Sequence, residues 1–299
     1  MKIYYFDQHT FFLPEKHRFP ASKYSMLRQR VLTANVVPPE NMRTPEPVSD
    51  ADLHRAHTGD YLHRFEHGLL TKAEIRLIGL PWSPELVQRV KYTAGATVAV
   101  CRHALDDGVG LSLGGGTHHA CSDHGQGYCL YNDVVVAARA LQAEGSVRRV
   151  LVIDCDVHQG NGTAETTTGD SSIFTFSIHG EKNFPYCKIP GDLDVGLPDG
   201  TGDEAYLRAL DEALDIALSR SRPDLAIYLA GVDVHENDRL GRLALTRSGI
   251  GRRDESVLSK CRESTIPVGV VMAGGYSRDL SKMVEIQLQT VQIAASFSL

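Results

Sequence analysis

The sequence lacks any run of apolar residues close to the ~20 that a helix needs to span a bilayer, and its N-terminal segment lacks the apolar core of a secretory signal peptide. Its six cysteines are scattered along 299 residues and form no CxxC pair, which argues against a disulfide framework. These absences predict a cytoplasmic protein whose cysteines are free thiols.

A basic stripe is also absent. The formal net charge is -6, and the basic residues are dispersed apart from short pairs such as Arg148 and Arg149. Direct nucleic-acid binding therefore has no electrostatic basis. No Pro/Gly/Ser-rich linker, low-complexity tract or internal repeat divides the chain. With 42% hydrophobic residues, residues 1–299 are expected to form one domain with a buried core.

Short apolar runs that end in small or polar residues predict a parallel sheet. Buried parallel strands are apolar on both faces because helices cover each side of the sheet. An opening strand is expected in KIYYFD, near the N-terminus. The five other predicted strands span residues 109 to 116, 149 to 156, 173 to 180, 225 to 233 and 266 to 275.

Helical patterns lie between these runs. The clearest extends from Ser83 to Leu105, with Ser83 as the N-cap and Pro84 in the first turn. A second helix is expected after Asn132, and a third from a capping box at Thr201, while the acidic stretch 191 to 204 is interpreted as a turn. Alternating strands and helices predict a doubly wound α/β fold, mainly parallel, with helices on both faces.

Ionisable residues follow the predicted strands. Ligands of open parallel sheets bind beyond the carboxyl ends of the strands. Asp154, Asp156 and His158 alternate behind one strand, and Asp233 follows another. A lone Asp at such a position usually caps a turn, but this much buried charge needs a counter-ion. We therefore expect a metal site, for which zinc, iron and manganese all remain open.

Two further clusters flank the expected metal site. His118 and His119 follow three glycines that permit close backbone approach, and a histidine is the natural general base near neutral pH. The loop lacks the GK[ST] ending of a P-loop. Tyr276 follows a Gly-Gly pair, and beside a metal its hydroxyl could donate to the oxyanion of a tetrahedral intermediate.

Five separated motifs resemble the histone deacetylase superfamily, and particularly its class IV type with bacterial relatives. They are GGGTHHA, GYCLYNDV, VLVIDCDVHQGNG, AGVDVHENDRLGRLALT and AGGY. The resemblance covers nearly the whole chain. It implies an arginase-like fold and a zinc-dependent amidohydrolase that removes acyl groups from lysine.

The resemblance also implies roles for individual residues. One zinc ion per chain is expected on Asp156, His158 and Asp233, with His118 and His119 as an acid-base pair and Tyr276 as the oxyanion donor. Asp154 and Asn161 would support the two histidines, and the neutral Asn161 predicts that His119 stays neutral more readily. The acyl-lysine tunnel would be lined by Gly127, Tyr128 and Phe184. A structural potassium site would involve Asp154, Asp156, His158, Ser177 and Ile178.

Several functions remain open. An acetylpolyamine or another small acylated amine could replace acyl-lysine as the substrate, and long acyl chains are possible. An arginase-like enzyme with two manganese ions would need an Asp as a ligand for the second ion where this chain has Gly160. A non-catalytic protein that binds zinc or an acyl ligand would have no need for His118, His119 and Tyr276 together.

Overall fold

The computed structural model of the chain describes residues 1–15 and 17–298. Its centre is a sheet of eight parallel strands in the order β2-β1-β3-β8-β7-β4-β5-β6. The strands are β1 Ile3–Tyr4, β2 Met42–Arg43, β3 Val109–Ser112, β4 Val150–Asp154, β5 Ile173–Gly180, β6 Leu193–Leu197, β7 Leu225–Leu229 and β8 Val268–Val271.

Helices cover both faces of this sheet. In β4, Leu151 and Ile153 belong to one hydrophobic core, and Val150 and Val152 belong to the core on the other face. The predicted arrangement of a buried parallel sheet between helical layers is thus confirmed. The helices are α1 Lys23–Thr33, α2 Asp50–Ala56, α3 Gly59–Glu66, α4 Lys72–Ile78, α5 Pro84–Asp107, α6 Asp133–Ala143, α7 Asn161–Thr166, α8 Asp203–Ser221, α9 Arg247–Glu263 and α10 Leu280–Ser296.

Two predicted helix starts are confirmed by their caps. The Ser83 hydroxyl accepts a hydrogen bond from the backbone N–H of Leu86 at the start of α5. Asn132 caps α6 in the same way, by accepting from the N–H of Val135. Each cap satisfies a backbone donor that has no partner inside the helix.

The capping box predicted at Thr201 is wrong. Helix α8 begins at Asp203, and the Thr201 hydroxyl instead donates to the carbonyl of Pro198 in the preceding turn. The interpretation of residues 191 to 204 as a turn is also incomplete, because Leu193–Leu197 forms the edge strand β6 beside β5. Alternating apolar and small or acidic residues suit an edge strand with one face toward the core.

The loops that follow β3, β4, β7 and β8 lie side by side at one edge of the sheet. Strands β3, β8, β7 and β4 are consecutive neighbours, and each ends earlier than the sequence predicted, so that the residues beyond it form loops at one edge of the sheet. Within the described part of the chain, no helix is both long and apolar enough to cross a membrane.

Candidate metal centre and active site

Three acidic or imidazole side chains converge beyond β4 and β7. Asp156, His158 and Asp233 each offer a ligand atom, and these atoms all lie within 4.8 Å of one another. His158 Nδ1 lies 2.9 Å from Asp156 Oδ1 and 3.3 Å from Asp233 Oδ2. All three residues are buried. Their close approach therefore needs a positive charge between the carboxylates.

The surroundings of this cluster fit a cation. Asp233 Oδ1 accepts from the backbone N–H of Val157, whereas the buried Asp233 Oδ2 has no hydrogen-bond partner among the described residues. A Cβ added at Gly274 would overlap Asp233 Oδ2 and lie 2.5 Å from Asp156 Oδ2. Glycine thus keeps clear the space between the two carboxylates. Two carboxylates and one imidazole form a donor set that suits catalytic zinc.

The electrostatics agree with that interpretation. Burial and the neighbouring Asp156 carboxylate raise the pKa of Asp233 to about 7. Burial alone would lower the pKa of His158, but its hydrogen bond to Asp156 and the nearby carboxylate of Asp233 raise it to about 10. These shifts indicate that positive charge is favoured between the two carboxylates.

The paired histidines lie against this cluster and have different partners. His118 Nδ1 donates to Asp154 Oδ2 at 2.6 Å, and His119 Nδ1 lies 2.7 Å from Asn161 Oδ1. Burial opposes the charged form of His118, yet the Asp154 and Asp156 carboxylates raise its pKa to about 9. Burial together with positive charge on its histidine neighbours lowers the pKa of His119 well below the usual range. One histidine is therefore suited to hold a proton and the other to accept one.

Tyr276 is held beside the cluster by its own backbone. Its N–H donates to Asp238 Oδ2 at 2.6 Å, and its carbonyl accepts from Arg239 Nε at 2.9 Å. The ring lies 6.3 Å from that of His158. Burial and the carboxylates of Asp156 and Asp233 raise the pKa of Tyr276 well above its usual range, so the hydroxyl keeps its proton.

A cavity of about 590 Å³ leads to these side chains, and His119, His158 and Tyr276 line it. The residues predicted to form a tunnel, Gly127, Tyr128 and Phe184, line it as well. The Phe184 and His119 rings are 4.9 Å apart, nearly perpendicular, and a Cβ at Gly127 would lie 2.7 Å from His119 Cδ2. A glycine is therefore required there for the cavity wall to approach the histidine.

The residues predicted for a potassium site also come together. Asp154 pairs with Ser177 in the β4–β5 register, and Ile178 follows in β5. The Ser177 hydroxyl lies 3.0 Å from His179 Nδ1. Potassium binding at this place stays a prediction.

Sequence reasoning missed the residues that hold the His118–His119 loop. The buried carboxylate of Asp133 accepts from the N–H groups of Gly116 and Thr117 and from the hydroxyls of Thr97 and Thr117. On the other side of the histidines, Asn132 Nδ2 donates to the carbonyl of Ala120. The Asn-Asp pair inside GYCLYNDV was the available signal.

We expect Asp133→Ala to lower the free energy of unfolding by about 3 kcal/mol, because two backbone N–H groups and two hydroxyls in a largely buried loop lose a charged acceptor. Urea unfolding at neutral pH measures this. As a control, Asp52→Ala removes a half-buried helix carboxylate that contacts Ser49 and Arg55 near the surface and should cost less than about 1 kcal/mol. Equal losses for the two variants would contradict the role assigned to Asp133.

His57 ties the same loop to helix α2. Its Nδ1 donates to the carbonyl of Cys121, and its Nε2 accepts from the N–H of Asn132. The bond from Asn132 needs an unprotonated Nε2 and hence the neutral ring, and burial lowers the pKa of His57 to about 4. The neutral form is therefore part of the folded structure.

This contact predicts a pH-dependent loss of stability. A histidine whose folded pKa lies below its unfolded value stabilises the fold above the unfolded pKa of ~6.5, and this contribution disappears as the pH falls toward 4. Between pH 7 and 4.5, wild type should lose about 2 kcal/mol more than His57→Gln. Urea unfolding of both proteins at the two pH values checks this, and parallel losses would contradict it.

A buried ion pair between Arg253 and Asp254 connects the loops that follow β4 and β7. Arg253 on α9 donates from Nη1 to the carbonyls of Cys155 and Gly231, which belong to the loops that carry Asp156 and Asp233. Its guanidinium also pairs with Asp254, and that carboxylate accepts from the Tyr228 hydroxyl. The loops that follow β4 and β7 are thus both bonded to the Arg253 guanidinium.

Comparisons with known proteins agree with this geometry. The sequence matches the histone deacetylase domain over residues 17–291. It is 43% identical to an uncharacterized protein of Picosynechococcus sp. over 91% of both chains. It is 27% identical to histone deacetylase 2 of Arabidopsis thaliana, over 92% of this chain and 73% of that protein.

The fold itself is similar to that of a solved structure. A crystal structure of a histone deacetylase homologue complexed with SAHA matches with a TM-score of 0.84 at 22% identity, covering 99% of this chain and 84% of that one. At this identity the match concerns the fold alone. It confirms the predicted arginase/deacetylase-like arrangement of a parallel sheet with helices on both faces.

Proposed function

This chain belongs to the histone deacetylase family, and on that premise we propose that it is a zinc-dependent amidohydrolase that removes acyl groups from lysine. The observation that carries the proposal is the three-donor cluster of Asp156, His158 and Asp233 at the end of a cavity that His119 and Tyr276 also line. The chemistry that zinc supplies in such a site is Lewis-acid polarisation of an amide carbonyl and activation of water.

The protein side chains would perform the proton transfers. Because Nδ1 of His119 bonds to Asn161, its Nε2 is left to accept the proton of the attacking water. His118, whose charged form is favoured by Asp154, would support the protonation of the leaving amine. The Tyr276 hydroxyl would donate to the oxygen that becomes negative in the transition state.

Two other activities fit the structure less well. A second metal ion of the arginase type would need a carboxylate at position 160, but a Cβ at Gly160 would lie 2.5 Å from Asp154 Oδ2. A protein that only binds zinc or an acyl ligand does not explain why a proton acceptor and a hydroxyl donor line the same cavity. Iron could replace zinc, because a site of two carboxylates and one imidazole accepts both.

The proposal has three further parts. The neutral Asn161 next to His119 supports a class IV type of enzyme. Six free thiols support a cytoplasmic location. Residues 1–299 would form one deacetylase domain, because strands from both ends of the chain, β1 and β8, belong to the same sheet.

The test is hydrolysis of fluorogenic acyl-lysine peptides with acetyl and longer acyl groups by zinc-loaded protein. We expect turnover that a hydroxamate such as SAHA inhibits, with Asp233→Ala as the blank. Metal analysis should give one ion per chain. Zinc-loaded protein that hydrolyses no acyl chain length at all would refute the proposal.

A further inference from the structure

The mouth of the cavity is positively charged, although the whole chain carries a net charge of -6. Besides its histidines, the charged residues that line the cavity are all cationic, and none of the lining residues among those described is acidic. The four cations are Arg76, Lys182, Arg239 and Arg242. We define these four as the rim cations.

Carboxylates neutralise the rim cations only in part. Arg242 pairs with Asp199 at 3.1 Å and is the one rim cation in a salt bridge among the described residues. Arg239 donates hydrogen bonds to the backbone carbonyls of Tyr276 and Arg18. Arg76 donates to the carbonyl of Lys72. Backbone carbonyls satisfy hydrogen bonds but leave the net charge in place.

The acidic residues next to the rim offset its charge only in part. Asp238 lies beside Arg239 in the chain and accepts from the backbone N–H groups of Leu240, Gly241 and Tyr276, and it forms no salt bridge with a rim cation among the described residues. Glu181 precedes Lys182 and is exposed to solvent. Burial raises the pKa of Tyr128 in the cavity wall, and the positive charges of Arg18 and Arg239 counter part of that rise. Positive charge thus surrounds the entrance from several elements of the fold.

We propose that the rim cations select substrates in which the acylated amine is flanked by negative charge, namely an acyl-lysine within an acidic peptide segment, and reject polycationic acylamines. The inference rests on the proposed amidohydrolase function. Opposite charges attract and like charges repel across the cavity mouth, while the neutral acyl chain enters the tunnel. Acetylpolyamines, which keep positive charge beyond the acylated nitrogen, become poor substrates.

The test compares acetyl-lysine peptides flanked by two Glu, two Gln or two Lys residues, with N8-acetylspermidine as the small cationic probe. Exposed ion pairs contribute about 0.2–1 kcal/mol each, so kcat/KM for the Glu peptide should exceed that for the Lys peptide roughly tenfold at low salt. The ratio should shrink toward one at about 0.5 M salt, where the charges are screened.

Charge reversal identifies the source of the preference. Arg76→Glu combined with Lys182→Glu should invert the ranking of the Glu and Lys peptides when kcat/KM for each is expressed relative to the Gln peptide with the same variant. The matched control, Arg208→Glu with Lys282→Glu, changes the net charge equally at exposed positions away from the cavity lining, and should keep the wild-type ranking. Equal rates for the three peptides in wild type, or an unchanged ranking in the rim variant, would overturn the inference.

A binding measurement separates this inference from the proposed function. Two hydroxamates that differ only in a carboxylate or an ammonium group at the solvent end are titrated calorimetrically into zinc-loaded protein. The carboxylate compound should bind more tightly to wild type and less tightly to the rim variant, whether or not any peptide is hydrolysed. Equal affinities for wild type would overturn the charge selection even if peptide hydrolysis is observed.

Discussion

Asp233→Ala is expected to lose the bound metal and to reduce kcat by roughly 10³-fold or more, since metal polarisation contributes several kcal/mol and each 1.36 kcal/mol is a factor of ten. Asp233 is fully buried, and its Oδ2, which we propose as a metal ligand, has no hydrogen-bond partner among the described residues. The variant keeps only Asp156 and His158, which is one donor fewer than catalytic zinc sites generally have.

Two measurements make this expectation specific. Metal analysis should give one ion per chain for wild type and a value near zero for the variant. Adding zinc at about 100 times its Kd should raise the unfolding free energy of wild type by about 2.7 kcal/mol and leave that of Asp233→Ala unchanged. The second readout does not depend on turnover, so it distinguishes loss of the metal from loss of the chemistry.

A matched control removes a carboxylate elsewhere on the active-site loops. Asp123 is exposed and contacts only its neighbour His124 among the partners seen in the structure, so Asp123→Ala should bind zinc and turn over substrate like wild type. An Asp233→Ala protein with a full complement of zinc and wild-type kcat would show that the metal is held elsewhere.

The strand pattern was the most predictable part of the fold. Buried parallel strands are apolar on both faces, so their apolar runs are visible in the sequence, and β5 has the predicted bounds of residues 173 and 180. The predicted ligands follow β4 and β7, whose carboxyl ends lie next to each other in the sheet. Strand adjacency, together with motif resemblance, therefore predicts that Asp156, His158 and Asp233 lie close together, as they do in the structure.

What could not be predicted depends on contacts between distant parts of the chain. Thr201 and Glu204 have the spacing of a capping box, but the Thr201 hydroxyl is used by a turn and Glu204 pairs with Arg252 on α9. His57 reaches Asn132 across 75 positions in the sequence, and no local spacing rule anticipates such a bond. The side chains that support His118 and His119 come from distant parts of the sequence, so only the tertiary structure brings them together.

Tyr276→Phe is expected to lower kcat by roughly 10²–10³-fold, which is the usual cost of deleting one oxyanion donor. The substitution removes one oxygen atom and leaves the two backbone hydrogen bonds of the residue, to Asp238 and Arg239, in place. The ring should therefore stay where it is. Because the hydroxyl acts on charge that develops in the transition state, KM should change much less than kcat.

Two controls distinguish the loss of the hydroxyl from loss of the metal and from general effects of the substitution on the protein. Zinc content should remain at one ion per chain, which distinguishes this variant from Asp233→Ala. Tyr5→Phe deletes the same atom from a half-buried tyrosine that does not line the cavity and should keep kcat within about twofold, as for most substitutions away from the site. If Tyr276→Phe also stays within twofold of wild type, the oxyanion must be stabilised by the metal and the backbone alone, and Tyr276 has no part in the chemical step.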